Sequence, residues 1–348
     1  MSVKTYRRKL DIKNGRIDLS HGAGGRAMAQ LISDLFHEAL DNEWLRRGND
    51  QAVFDVIGGR MVMTTDSYVV SPLFFPGGDI GSLSVHGTIN DVAMGGARPL
   101  YLSASFIIEE GFALADLKCI ADSMGEASRA AGVPVITGDT KVVERGKGDG
   151  VFISTTGIGV APKGLDLSAE KACPGDYVIV SGTIGDHGVA VMSRRKNLSF
   201  ETEIVSDSAP LHDLVAVMID AGGPDLRVMR DPTRGGLAAT LNELAQQSGV
   251  GFHLEEEMLP VKPGVAAACE LLGLDPLYVA NEGKLVAVVA PGSAGAVFAA
   301  MRNHPLGRDA AIIGKVVADD HRFVQMTTGF GGGRIVDWLA GEQLPRIC

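Results

Sequence analysis

The sequence is short of cysteine, has no long apolar run and is poor in basic residues, and each shortage excludes a class of protein. Its four cysteines, Cys119, Cys173, Cys269 and Cys348, are widely spaced in 348 residues and form no CxxC pair. That spacing excludes a disulfide framework and the familiar zinc patterns. No apolar run approaches ~18 residues, so nothing reads as membrane-spanning. The charged stretch from Met1 to Asp11 lacks the apolar heart of a signal peptide. Lys and Arg number 32 against 42 Asp and Glu, for a net charge of −10. Nucleic-acid binding needs a basic footprint to replace phosphate counterions, so nucleic acid is not an expected partner. The expectation is a cytoplasmic chain that meets neither membrane nor nucleic acid.

Glycine, in contrast, is abundant: 45 residues, about twice the usual share of ~7%. These glycines form no low-complexity tract, so they should mark turns and close backbone approaches. Length predicts two domains of roughly 150 residues each. In the first half, period-2 runs predict strands at 61–70, 100–109, 133–143 and 151–161, with helices at 27–40, 80–94 and 113–131. Gly132 is the expected C-cap of the last helix. A stretch with Pro162, Gly164, Pro174 and Gly175 reads as a boundary. The second half repeats the grammar, with strands at 177–181, 285–290, 312–317 and 323–327 and helices at 211–221, 235–247 and 294–303. The fold class is therefore α/β (α+β), with two mixed-sheet domains at 1–161 and 176–328, and a flexible, glycine-hinged tail at 329–348.

Several groups could carry chemistry. In LSHGAGGRAM, Gly22, Gly24 and Gly25 precede an amphipathic helix, where backbone N–H groups can approach phosphate oxygens. Neither a Walker A ending nor a Rossmann strand accompanies the loop, and a plain N-terminal turn is the alternative. Asp66, Asp91 and Asp139 sit at predicted element ends beside small or hydroxyl residues. Three carboxylates converging there could hold Mg²⁺ against phosphate, although Asp is also a common cap residue. Lys141 follows Asp139 by two, and on a strand both point to one side. Thr233, Arg234, Gly235 and Gly236 make a second possible anion-binding helix start, and Glu282 in NEGK is either a general base or a turn residue. His21, His86 and His187 read as packing or surface residues, Met61, Met63, Met192 and Met218 as core filling, and Cys119, Cys173 and Cys269 as core. Cys348 differs. A thiol on a glycine-hinged arm of twenty residues, reaching ~66–72 Å when extended, can carry a covalent group between sites. Its own α-carboxylate disfavours the thiolate, and Arg346 partly offsets that.

HGAGGRAM, the three aspartates, GDTKV, DPTRGGL, NEG and the closing PRIC together resemble the HypE family of hydrogenase maturation proteins. That family lies in the PurM-like superfamily of aminoimidazole ribonucleotide synthetase and selenophosphate synthetase, and the resemblance runs from about Leu19 to Cys348. It implies an ATP-dependent dehydratase acting on its own carbamoylated Cys348, loaded by the carbamoyltransferase HypF. The product thiocyanate would pass cyanide to iron on the HypC–HypD complex, for [NiFe]-hydrogenase. The resemblance further implies a homodimer whose N-terminal domains pair into a shared barrel, and a nucleotide site with Mg²⁺ on Asp66, Asp91 and Asp139. Gly22, Gly24 and Gly25 would close over the triphosphate, with Asn90 and Thr140 beside it. Lys141 and Glu282 would handle protons near Cys348. The alternatives are another activity of the superfamily, such as selenophosphate synthetase, or a carrier without catalysis.

Overall fold

The computed structural model describes residues 10–23, 26–46, 52, 54–55, 58–196, 203–338, 344 and 346–348, so Gly24 and Gly25 lie outside the described residues. The first sheet has the order β1-β6-β4-β5, from β1 (Arg60–Tyr68), β4 (Arg98–Glu109), β5 (Val135–Val143) and β6 (Val151–Ala161). β6 runs antiparallel to β1 and β4, whereas β4 and β5 are parallel, joined across α5 (Leu114–Ala131). A small hairpin, β2 (Phe74–Phe75) and β3 (Gly78–Asp79), leads into α4 (Ile80–Met94). Before the sheet come α1 (Arg26–Leu31), a π turn at Ile32–Phe36, α2 (His37–Leu40) and α3 (Glu43–Arg46). The first two helices and the π turn fill the predicted 27–40 helix.

Burial along β6 alternates strictly, as a sheet with one covered face requires. Val151 and Ile153 meet Leu83, Ile89 and Leu117 of α4 and α5 in a single core. On the other face, Met61 and Met63 of β1 stand 49% and 71% exposed. Both had read as core methionines. An apolar residue in a period-2 run is assigned to a face only by what covers that face, and among the described residues nothing covers Met61 and Met63. Cys119 and Cys173 are exposed as well, and of the three expected core cysteines only Cys269 is buried.

The second sheet has the order β13-β12-β9-β11-β7-β10-β8, with β7 (Tyr177–Val180), β8 (Leu226–Arg230), β9 (Gly251–Glu255), β10 (Val286–Val289), β11 (Ala311–Val317), β12 (Val324–Thr327) and β13 (Gly333–Ile335). It too is mixed, since β9 and β12 are parallel while the other pairs are antiparallel. Helices cover both faces. α8 (Gly236–Ser248) packs Leu237, Leu241 and Leu244 on one side, and α7 (His212–Gly222) and α10 (Pro291–Asn303) pack Leu214, Met218 and Val297 on the other. β10 is buried at every residue, which explains its unbroken apolar run. α6 (Asp186–Arg195) and α9 (Pro263–Leu272) form a satellite cluster with Val189, Val265 and Cys269. Among the described residues, no helix is long and apolar enough to cross a membrane.

Candidate functional site

α4 delivers Asp91 to the first sheet, because Asp79 caps its start and the helix is buried almost all round. The Asp79 carboxylate accepts the Gly81 N–H at 2.6 Å, anchoring the first turn. Three turns on, the Asp91 carboxylate accepts a hydrogen bond from the Thr64 hydroxyl of β1 at 2.9 Å. Asp66 lies two residues further along β1, with its own carboxylate accepting the Ser67 N–H at 2.7 Å. Asp231, one residue past the end of β8, joins them from the second sheet. Desolvation, with the neighbouring Asp91 and Asp66 charges, pushes its carboxyl up to about 7. Desolvation, with Asp66 again, also raises Asp91, and Arg230 works against both shifts.

Glu282 completes the acidic ring from the loop before β10. It is 2% exposed, and its Oε1 finds no hydrogen-bond partner among the described residues. Burial first, then Asp231, Asp207, Asp66 and Asp91, hold its carboxyl well above the usual range. Its main chain is clamped: Asp207 accepts the Glu282 N–H at 3.1 Å, and Asn90 Nδ2 donates to the Glu282 carbonyl at 3.1 Å. Asn281 donates to the Pro232 carbonyl at 2.9 Å and accepts the Gly185 N–H at 2.7 Å, tying the loop to its neighbours.

Into this ring comes the end of the chain. Val69 N–H donates to the Cys348 carbonyl at 3.1 Å, and Ser71 N–H to the Arg346 carbonyl at 3.1 Å. Ile347 is 2% exposed in the first domain's core, a burial that contributes about 1.5–3 kcal/mol. The 329–348 segment had read as a hinge and a loose end. In this structure β13 pairs with β12 and residues 346–348 are docked. Burial pushes the Cys348 thiol up strongly, Glu282 adds to this, and Arg234 opposes it. The offset comes from Arg234 rather than from Arg346, whose guanidinium is occupied by Asp149.

The other expected site residues fall elsewhere. Strand register sets Asp66 opposite Thr155, Thr155 opposite Ala104, and Ala104 opposite Gly138, the residue before Asp139. Three strand spacings, about 14 Å, therefore separate Asp66 from Asp139 across the sheet. Within one chain Asp139 cannot share an ion with Asp66 and Asp91. Lys141 goes with Asp139, its ammonium 3.1 Å from that carboxylate and far from Cys348. Thr140, 5% exposed, lies beside them, its N–H donating to Asp139 at 2.8 Å. Asn90, expected beside phosphate, has its amide fully used by the Ala209 and Glu282 carbonyls and the Leu211 N–H. It is an internal clamp. Gly22 faces β5, where a Cβ would come 2.8 Å from the Val142 nitrogen, so packing already accounts for this glycine.

Asp231 and Asp207 were missed in the sequence. Asp231 stood in plain view in DPTRGGL, but the glycines and Arg234 drew the reading to the helix start. Among the described residues no three His, Cys, Asp or Glu are gathered closely enough to hold a metal ion. The chemistry of the ring nonetheless suits a hard divalent cation, since its carboxylates raise one another. A testable consequence follows for Asp231. An acid raised from 3.8 to about 7 favours the folded, protonated chain. Its contribution is complete below pH ~3.8 and lost as pH rises through about 7. Thermal melting in chelator should show that loss, and Mg²⁺ should raise the melting temperature more at pH 7 than at pH 4. Equal Mg²⁺ effects at both pH values would separate this ring from cation binding.

Models of the AIR synthase related protein family match residues 48–161 (N-terminal domain) and 173–327 (C-terminal domain). The chain is 78% identical over 346 residues to the carbamoyl dehydratase HypE of Bradyrhizobium diazoefficiens, covering 99% of this chain and 100% of that one. It is 48% identical over 337 residues to that of Escherichia coli, covering 95% and 99%. A crystal structure of the maturation protein HypE in complex with ATP superposes with a TM-score of 0.91 at 49% identity, covering 95% of this chain and 99% of that one. A HypE–HypF complex gives 0.78 at 51% identity, covering 89% and 99%.

Proposed function

The chain belongs to the HypE family of carbamoyl dehydratases, within the AIR synthase related proteins, and from that membership we propose how its residues carry out the reaction. It is an ATP-dependent dehydratase of its own S-carbamoylated cysteine, and the reacting sulfur is that of Cys348. The single observation that carries this assignment is the docking of Cys348 beside Glu282, whose Oε1 has no hydrogen-bond partner among the described residues.

Amide oxygen is a poor leaving group, and phosphorylation makes it a good one. The oxygen of S–C(=O)–NH₂ attacks the γ-phosphorus of ATP, and the Pγ–O bond to ADP breaks. The C–O bond then breaks with loss of phosphate while both N–H protons leave, giving S–C≡N. Glu282 sits where it can accept the first of those protons, in a pocket that shields the intermediate from water. Arg230 and Arg234 supply positive charge near the incoming phosphates. Asp66, Asp91 and Asp231 would hold Mg²⁺, which when bound would neutralise charge developing on the transferring group. The thiocyanate then supplies cyanide for the [NiFe]-hydrogenase iron, with a HypF-type carbamoyltransferase upstream and a HypC–HypD-type complex as acceptor.

A homodimer accounts for what the single chain leaves apart. β1 and β5 are the two outer strands of the first sheet, and the face between them exposes Met61, Met63 and Ile107. Pairing through this face would bring the β5 edge of one protomer, with Asp139, Thr140 and Lys141, beside the β1 edge of its partner. Residues 1–161 would then form the ATP-binding and pairing unit, 176–328 the second wall of the site, and 329–348 the arm.

Intact mass spectrometry tests the reaction. With carbamoyl phosphate, the carbamoyltransferase and ATP, the chain should gain one carbamoyl group and then lose one water, and Cys348→Ala should gain nothing. Modification of the Cys348→Ala chain to the same extent would move the reaction to another residue.

A further inference from the structure

The contacts that hold the docked arm are made by residues with no part in the acidic ring. Arg195, at the end of α6, donates from Nε to the Ser71 carbonyl at 2.8 Å and from Nη2 to the Arg346 carbonyl at 2.8 Å. His187, the second residue of α6 and fully buried, sits with Nε2 2.8 Å from the Ile347 carbonyl. The other ring nitrogen is 2.8 Å from the Ser206 hydroxyl, so Ser206 can donate to Nδ1 while Nε2–H donates to the arm. From the arm's side, Arg346 donates from Nε to the Val69 carbonyl at 2.9 Å and pairs with Asp149. Arg346 adopts φ +53°, a left-handed conformation that a residue with a side chain rarely holds without compensating contacts.

We propose that Arg195, His187 and Asp149 form a latch for the main chain and Arg346 side chain of the docked arm, acting as positioning residues for Cys348. The inference rests on the assignment of Cys348 as the carrier. None of the latch contacts involves the sulfur. The latch therefore grips a bare, carbamoylated or cyanated terminus alike, and loading depends on release of residues 346–348 rather than on what the thiol carries.

The test is the rate at which iodoacetamide alkylates Cys348, followed by mass spectrometry of the terminal peptide. Exposed Cys119 and Cys173 serve as internal standards and buried Cys269 as a reporter of unfolding. Arg195→Ala and Arg346→Ala should each speed alkylation of Cys348 about tenfold, as expected for loss of a charge-assisted hydrogen bond to the docked state. Arg195→Lys should recover part of the protection. Asp149→Asn should give only about two- to threefold, because that pair is solvent-exposed. If Arg195→Ala also exposes Cys269, Arg346→Ala decides, since it alters the arm and not the body. In a single-turnover assay Arg346→Ala should slow water loss while leaving the KM for ATP unchanged. Alkylation of Cys348 within twofold of the parent in both alanine variants would overturn the latch. The alkylation uses neither ATP nor a carbamoyl donor, so its failure is separate from any failure of the dehydratase assignment.

Discussion

Glu282→Gln should accept the carbamoyl group on Cys348 at the parent rate and then lose water about 10²–10⁴-fold more slowly, the usual worth of a positioned general base. The loss is expected at that step alone. Loading takes place on the released thiol, whereas Glu282 is buried in the ring where only the docked arm reaches it. Its Oε1 has no partner among the described residues, so no hydrogen bond that stabilises the fold is removed. Burial and the charges of Asp231, Asp207, Asp66 and Asp91 raise the proton affinity of its carboxylate, which strengthens it as a base and makes its ionised form costly to bury. Glutamine keeps the shape and removes that cost but cannot take up a proton, so the variant should melt at or above the parent temperature. Quenched single-turnover samples weighed as intact protein separate the carbamoyl and cyano forms. Water loss at the parent rate would transfer the proton to another group.

The second large effect is steric. At Gly283 an added Cβ would overlap the Asp207 carbonyl oxygen outright, with the Ala209 nitrogen only 2.9 Å away. Backbone on both sides cannot swing aside as a side chain would. Gly283→Ala should cost about 3 kcal/mol, lowering the melting temperature by roughly 6–12 °C for a domain of this size. Activity should fall further than stability, because relief of the clash pulls Glu282 away from Asp207 and Asn90, which hold its main chain. Gly264→Ala is the matched control. Its Cβ would meet nothing closer than Ile204 at 3.9 Å, so it should be neutral or slightly stabilising within its helix. Calorimetry of the two variants side by side would decide. Equal melting temperatures would mean that the loop yields without strain.

Two mixed sheets were legible because alternation and helical spacing survive in a single sequence wherever an element is long. The 80–94 helix and the 151–161 strand were read to the residue, the strand because each position of an alternating run reports its face. Short pieces carried too few periods: the five-residue strands β8 and β9 went unseen, as did the ten-residue helices α6 and α9. α6 is held by its packing with α9 and the hairpin.

Of the site, the sequence alone determined the chemistry available: a terminal thiol, a surplus of carboxylates and the motifs of one family. It also singled out Cys348 and Glu282, which the fold brings together. Only the tertiary structure decided which carboxylates share that space. Asp231 joins Asp66 and Asp91 because β8 ends against the first domain, and Asp139 is parted from them because β1 and β5 are opposite edges of one sheet. Asn90 likewise became a clamp, and His187 and Arg195 became contacts of the arm. Periodicity reports which face a residue occupies on its own element. Which elements then meet depends on strand order and on packing between remote segments, and neither leaves a local mark in the chain.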